Sequence, residues 1–143
     1  MKRLTAATLT ATLTLSMMTM TTQAQAQGWR WRRCKFQTVE AGKWTVNEVK
    51  LTIECAVQHW PVSLDHALYV ANRESGFRWD ATNATSGACG VFQHLPEFWP
   101  IRQDNFDRLY PRWHIRESCY NARSNILVAI WMAHTGGWAP WGG

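Results

Sequence analysis

The spacing of apolar residues predicts a first helix over residues 47–59. Its apolar stripe repeats every three or four positions and consists of Val49, Ile53, Ala56 and Val57. Thr45 or Asn47 can cap the first turn, and Pro61 disfavours helical geometry in the residue ahead of it. We therefore expect this helix to end just before Pro61.

A second helix is predicted between Ser63, which can cap it, and Gly76, which can end it in a left-handed conformation. Its stripe consists of Leu64, Ala67, Leu68, Val70 and Ala71. A last long helix is predicted from about Asn121 to His134, ending at Gly136 and Gly137. Its stripe consists of Ile126, Ala129, Ile130 and Ala133.

The segments between these helices have weaker patterns. Residues 77–90 are rich in Thr, Asn, Ser and Gly, which predicts a loop with a turn or short hairpin, and 91–93 is predicted as a brief helix. Because prolines recur through 94–118, we expect short helical turns and loops there. The whole pattern predicts a mainly α domain over residues 47–143, preceded by an extended arm over 27–46.

The N-terminal segment has the composition of a signal peptide. Lys2 and Arg3 precede an uncharged stretch, and Ala24-Gln25-Ala26 has the small-x-small pattern of a cleavage site. The stretch contains many threonines and is shorter than a membrane-spanning helix, so we expect residues 1–26 to be removed and the protein to be exported beyond the cytoplasm, to the cell wall or periplasm. Removal lowers the formal net charge from +5 to +3.

This modest positive charge suits an anionic polymer, but it also suits simple solubility. No Lys/Arg cluster resembles a nucleic-acid footprint, so we expect no nucleic-acid partner. The arm alternates tryptophans with arginines before Cys34, which fits either a sugar contact or rings that cover apolar surface.

Four cysteines, Cys34, Cys55, Cys89 and Cys119, lie in the exported part, where an oxidising compartment favours two disulfides. Three pairings are possible in principle. The cysteines form no metal-binding spacing, and nothing indicates a metal or organic cofactor.

Glu74 is the most informative residue, because helical spacing places its carboxyl on the apolar stripe of the second helix. A carboxyl on a buried face is costly without a purpose. Desolvation favours the protonated form of a carboxyl group, which is the form that can protonate a glycosidic oxygen. The alternative is a structural glutamate that accepts backbone N–H groups of the following loop.

Two motifs around Glu74 extend the argument. Glu74-Ser75-Gly76-Phe77 ends the second helix, and the stretch from Ser86 to Gln93 is Ser-Gly-Ala-Cys-Gly-Val-Phe-Gln. This pair resembles the signature of soluble lytic transglycosylases and goose-type lysozymes. Trp138-Ala139-Pro140-Trp141 also resembles the ending of small secreted members, so the resemblance covers roughly residues 62–141. It implies a small lysozyme-like helical fold and peptidoglycan glycan strands as the partner of a monomeric enzyme.

The resemblance implies a role for several residues. Glu74 matches the catalytic glutamate, Gln93 the glutamine that lines the sugar cleft, and Phe92 the position that forms the wall of the cleft. Ser75 would hold the helix end near the acid, or act as a capping hydroxyl, and Trp138 would contact substrate. Glycine at Gly87 and Gly90 lets the backbone approach closely.

The sequence also departs from the family. Where many members place a tyrosine near the acid, this chain has Ala133-His134-Thr135, so His134 is a candidate substitute, although a lone helical histidine is more often structural. Asn83 stands where a serine is common and is a candidate substrate contact. The same resemblance pairs Cys89 with Cys119, which leaves Cys34 with Cys55.

Two enzymatic mechanisms and one binding role remain open. A hydrolytic muramidase needs a second carboxylate, and Asp80 is the only other acid between Glu74 and Gln93, although it equally suits a turn. A lytic transglycosylase needs none, because the C6 hydroxyl of the substrate attacks the anomeric carbon. We expect a transglycosylase, with the muramidase as first alternative and a non-catalytic wall-binding module as second.

Overall fold

The structure, a computed structural model, describes residues 44–115 and 118–143. The predicted leader, most of the arm and Cys34 lie outside the described residues. The described part is mainly helical, with no regular strand. Its four α-helices are α1 (Val46–His59), α2 (Leu64–Ser75), α3 (Trp99–Leu109) and α4 (Ala122–Gly136), and two short 3-10 turns cover Pro111–Trp113 and Ala139–Trp141.

Helix α1 begins at a capping box. The Thr45 hydroxyl accepts a hydrogen bond from Glu48 N (3.3 Å), and the Glu48 carboxylate accepts one from Thr45 N (2.7 Å). The buried face includes Val49, Ile53 and Ala56, as the apolar stripe predicted. The predicted helix over 47–59 is thus confirmed to within one residue.

Helix α2 has the predicted start and end. The Ser63 hydroxyl accepts a hydrogen bond from His66 N (3.3 Å), and Gly76 ends the helix with φ +61°. The buried residues Ala67, Val70 and Ala71 turn this helix toward α1, against which it packs. Glu74 therefore lies in the last turn of a well-anchored helix.

The loop that follows α2 folds back on itself through two isolated bridges, Thr82 with Cys89 and Cys89 with His94. The brief helix predicted over 91–93 is wrong, because the structure has a turn there. Gly90 has φ +75° and Gln93 has φ +48°, and neither angle belongs to a right-handed helix. The backbone N–H of Gln93 donates to the Gly90 carbonyl (3.2 Å), which closes the turn. We refer to Gly90–Gln93 as the motif turn.

Helix α3 corrects a second prediction, since a regular helix of 11 residues occupies part of the 94–118 segment. Pro100 is compatible with it because proline fits the first turn of a helix, where its missing N–H has no partner to lose. The helix buries mainly Trp99 and Phe106 and has no side-chain cap, so its sequence gives little periodic signal.

Helix α4 is central and begins within one residue of the predicted start, with Asn121 as its N-terminal cap. Its predicted stripe is buried, and Leu127 and Val128 on other faces are buried as well. Helices α1 and α3 both pack against it. A helix that is apolar on nearly every side is typical of the centre of a core.

A disulfide joins Cys89 to Cys119, with 6.0 Å between the Cα atoms, and this confirms one of the two predicted pairs. The pair of Cys34 with Cys55 stays a prediction, because Cys34 is not among the described residues. None of the helices in the described part of the chain has both the length and the apolar character that a membrane crossing requires.

Candidate active site

Glu74 lies half-buried at the end of α2, with 24% of its side chain exposed. Its Oε1 accepts hydrogen bonds from Arg73 Nη2 (2.8 Å) and Arg73 Nε (3.2 Å). Within residues 44–115 and 118–143, Oε2 makes no hydrogen bond. The partner of this carboxylate is therefore an arginine, not the backbone N–H groups of the following loop, and one oxygen remains available to a ligand.

Arg73 connects Glu74 to the C-terminal turn. Its Nη2 also donates to the backbone carbonyl of Trp141, and its guanidinium carbon lies 5.6 Å from the centre of the Tyr69 ring. The hydrogen bond that it donates to Glu74 raises the pKa of Arg73 above its ordinary value. The guanidinium is therefore a permanent cation beside Glu74, and 39% of its side chain is exposed.

Ser75 joins the helix end to the motif turn. Its hydroxyl lies 2.8 Å from the Val91 carbonyl and 3.2 Å from the Ala71 carbonyl, both of which can accept its hydrogen. The first contact spans 16 residues of sequence, and it brings together the two motifs that were singled out from the sequence. The end of α2, which carries Glu74, consequently contacts the motif turn.

Gln93, predicted to line the cleft, lies half-buried in the motif turn. Its side-chain Nε2 donates to the Gly90 carbonyl (2.8 Å) and to the Ala81 carbonyl (3.1 Å). Both side-chain donors thus hold the loop together, and the side-chain carbonyl oxygen is the atom that remains for a ligand.

Asn125, on α4, holds the other side of the motif turn and was not identified from the sequence. Its Oδ1 accepts from Phe92 N (2.8 Å), while Nδ2 donates to the carbonyls of Cys89 (3.0 Å) and Cys119 (2.9 Å). A Cβ atom at Gly90 would overlap this amide and the Cys119 carbonyl. The only sequence signal for this role is an amide beside the apolar run of α4.

Phe92 is fully buried, so its ring does not reach the surface. It lies 6.3 Å from the Trp138 ring and 6.1 Å from the Trp141 ring, and its carbonyl accepts a hydrogen bond from Trp141 Nε1 (2.8 Å). Phe92 therefore supports the site through its packing against these two tryptophans.

Trp138 lies half-buried above Phe92 and stacks on His66, with 5.1 Å between ring centres and 24° between ring planes. His66 in turn contacts Tyr69 edge-on, and 60% of Tyr69 is exposed. We call His66, Tyr69 and Trp138 the aromatic surface. It is continuous with Arg73 through the Tyr69 ring.

Three other residues that the sequence suggested for the site make their hydrogen bonds or ion pairs elsewhere. Asn83 is exposed, and its Oδ1 accepts from Thr85 N (2.9 Å) and Ser86 N (3.0 Å), which is a local turn. His134 Nδ1 lies 3.2 Å from the Pro61 carbonyl, in the connection between α1 and α2. Asp80 is exposed and pairs with Arg78 (3.4 Å).

His94 forms a separate polar cluster inside the core. Its Nδ1 lies 3.0 Å from Arg102 Nη1, and its Nε2 lies 3.1 Å from the Asn125 carbonyl. Arginine only donates, so Nδ1 accepts and Nε2 bears the hydrogen. Burial lowers the pKa of His94 from 6.5 to about 3, and the charge of Arg102 acts in the same direction. This neutral, fully buried ring is structural.

The described residues contain no group of three or more His, Cys, Asp or Glu placed to hold a metal ion. Comparisons of the chain with protein-family models, with curated proteins and with solved structures give no match in any of the three.

Proposed function

We propose that this protein is an exported enzyme with a lysozyme-like fold that cleaves the glycan strands of peptidoglycan between N-acetylmuramic acid and N-acetylglucosamine. The observation that supports it most is the contact between Ser75 and the Val91 carbonyl, because it places the half-buried Glu74 beside the motif turn. A half-buried carboxyl with one unengaged oxygen, near the exposed Tyr69 ring and the half-buried Trp138 ring, suits a sugar polymer.

In the proposed reaction Glu74 serves twice. Protonated Glu74 gives its proton to the glycosidic oxygen, and the bond from that oxygen to the anomeric carbon of muramic acid breaks. The C6 hydroxyl of the same sugar then attacks the anomeric carbon and returns its proton to Glu74. One product strand begins with N-acetylglucosamine, which keeps the glycosidic oxygen as a hydroxyl. The other ends in 1,6-anhydromuramic acid, and no water is consumed.

The ion pair that engages Asp80 supports this transglycosylase mechanism over hydrolysis. A hydrolytic glycosidase needs a second carboxylate within about 5 to 9.5 Å of the first. Asp80 is exposed and engaged with Arg78 in the loop, and this arrangement suits a turn residue. Hydrolysis with help from Asp80 remains the second candidate, and glycan binding without catalysis the third.

The aromatic surface provides the proposed contact for the sugar chain. Exposed tyrosine and tryptophan rings bind sugars through their apolar faces. His66, Tyr69 and Trp138 are in continuous ring contact beside Arg73 and Glu74. Gln93 adds one carbonyl oxygen on the side of the motif turn.

The first experiment compares Glu74→Gln with the unmodified protein on purified cell wall. We expect release of soluble fragments to fall by roughly 10³-fold, because general acid catalysis typically contributes 10² to 10⁴, while binding to the wall persists. The matched control is Glu97→Gln, which changes an exposed glutamate outside the site. Fragment release that is undiminished in Glu74→Gln would refute the catalytic role.

Fragment masses from the unmodified protein separate the candidate mechanisms. Transglycosylation leaves anhydromuramic ends that weigh one water less than the reducing ends left by hydrolysis. Binding without any fragments would favour the non-catalytic module.

A further inference from the structure

The ion pair between Arg73 and Glu74 occupies part of the proposed catalytic group. Glu74 Oε1 accepts two hydrogen bonds from a guanidinium that is always charged, so Arg73 covers this oxygen. Arg73 therefore has to release Oε1 before both carboxyl oxygens of Glu74 can face a substrate.

The guanidinium of Arg73 has the geometry to exchange one hydrogen-bond partner for another. Its hydrogen bonds within the described residues use Nε and Nη2, while a guanidinium has five N–H donors in a planar fork. The side chain is 39% exposed, so its outer edge is accessible to a ligand. The Tyr69 ring and the Trp141 carbonyl both contact the guanidinium, and they can hold it when Glu74 is released.

We propose that Arg73 binds a carboxylate of the peptide that peptidoglycan bears on its muramic acid, and that this exchange frees Oε1 of Glu74 to contact the glycosidic bond. The inference rests on the proposed function and adds a specificity-determining and positioning residue to it. The exchange replaces one arginine–carboxylate pair by another, so it requires no net loss of an ion pair.

The charges around the site are compatible with this assignment. Arg73 pairs with Glu74, and the nearest ion pair along the chain, Arg78 with Asp80, lies in the exposed loop. A peptide carboxylate that approaches the aromatic surface reaches Arg73 where it lies against the Tyr69 ring. The same guanidinium then selects strands that bear acidic peptides over neutral ones.

The test compares two forms of one substrate: uncrosslinked glycan strands with native peptides, and the same strands after their carboxylates are converted to amides. For the unmodified protein we expect kcat/KM to be about tenfold higher on the acidic strands, since a charge-assisted hydrogen bond is stronger than a neutral one but is weakened here by solvent. Arg73→Gln should cut both forms at similar rates, and Arg73→Lys should keep part of the preference.

Arg78→Gln is the matched control, because it removes an exposed arginine with its own carboxylate partner outside the site, and it should keep the full preference. Circular dichroism establishes whether each variant is folded. If Arg73→Gln fails to fold, Arg73→Lys decides, since lysine keeps the charge but lacks the planar fork of donors, and an unchanged preference with lysine would contradict recognition through the guanidinium.

Equal rates of the unmodified protein on the two strand forms would overturn the inference while leaving the proposed function standing. A full preference in folded Arg73→Gln would overturn it as well. If the unmodified protein neither binds nor cuts either form, the proposed function fails, and this inference fails with it.

Discussion

His94 illustrates how one residue makes the stability of this protein depend on pH. The folded protein keeps the ring neutral down to about pH 3, whereas the unfolded chain protonates it near its ordinary pKa of 6.5. The stability due to this difference is fully present above pH 6.5 and is lost progressively as the pH falls toward 3. The steepest loss from one such group is about 1.4 kcal/mol per pH unit.

We expect His94→Gln to lower the free energy of unfolding at pH 7 and to flatten its decline between pH 6.5 and pH 3, as measured by urea denaturation followed by tryptophan fluorescence. His59→Gln is the comparison, because partial burial also lowers the pKa of His59. It should flatten the decline less, since His59 is only half-buried. An unaltered decline in His94→Gln would contradict this account.

Gly90 and Gly87 allow a second test at the residue scale. Both have positive φ, +75° and +70°, but a Cβ atom at Gly90 would overlap Asn125 and Cys119, whereas at Gly87 it would meet Pro96 Cγ at an ordinary 3.6 Å. We expect Gly90→Ala to destabilise the fold by about 3 kcal/mol or more, from overlap and backbone strain together. Gly87→Ala should cost about 1 to 2 kcal/mol, from the backbone alone.

Thermal or urea unfolding of the two variants measures the difference. Equal losses in both would mean that the close approach to Asn125 is relieved without cost.

At the scale of the elements, the helices with clear ends were predictable. Thr45, Ser63 and Asn121 each accept a hydrogen bond from a backbone N–H of the first turn, and Gly76 adopts the left-handed conformation expected of it. These signals depend on neighbours in sequence. The sequence alone therefore suffices to predict the positions of α1, α2 and α4.

Helix α3 and the motif turn depend on contacts that the sequence does not display. Helix α3 has little periodicity because Trp99 and Phe106 are its only buried residues. The motif turn adopts its shape because Asn125, 33 residues away from Phe92, accepts the backbone N–H of that residue. Long-range hydrogen bonds of this kind override local preference.

The candidate site was predictable to the same extent. Helical spacing placed Glu74 on the inner side of α2, where it is half-buried. Arg73 was missed because adjacent helical residues point in different directions, and helical spacing gives no reason to expect its side chain to reach Glu74. The spacing of apolar residues along the sequence does not reveal the torsion angles of a side chain.

For the molecule as a whole, the disulfide between Cys89 and Cys119 closes a loop of 30 residues that contains α3. By chain entropy such a link stabilises the folded state by about 3 to 4 kcal/mol. We expect the double variant Cys89→Ser and Cys119→Ser to lose roughly that amount in urea unfolding. The variant is preferable to a reducing agent, which acts on every disulfide at once. A loss below 1 kcal/mol would show that the rest of the core already restrains this loop.

Five of the hydrogen bonds that assemble the site run in the same direction, from a side-chain donor to a backbone carbonyl. Arg73, Ser75, Gln93, Asn125 and Trp141 each donate from a side chain to a backbone carbonyl of another segment. Every residue offers a carbonyl, so the accepting positions tolerate any side chain that fits the space, whereas the donors are defined by their chemistry. Over evolutionary time these five bonds therefore constrain the chemistry of the donor residues more than that of the acceptors, whose side chains are limited only by packing and by the disulfide.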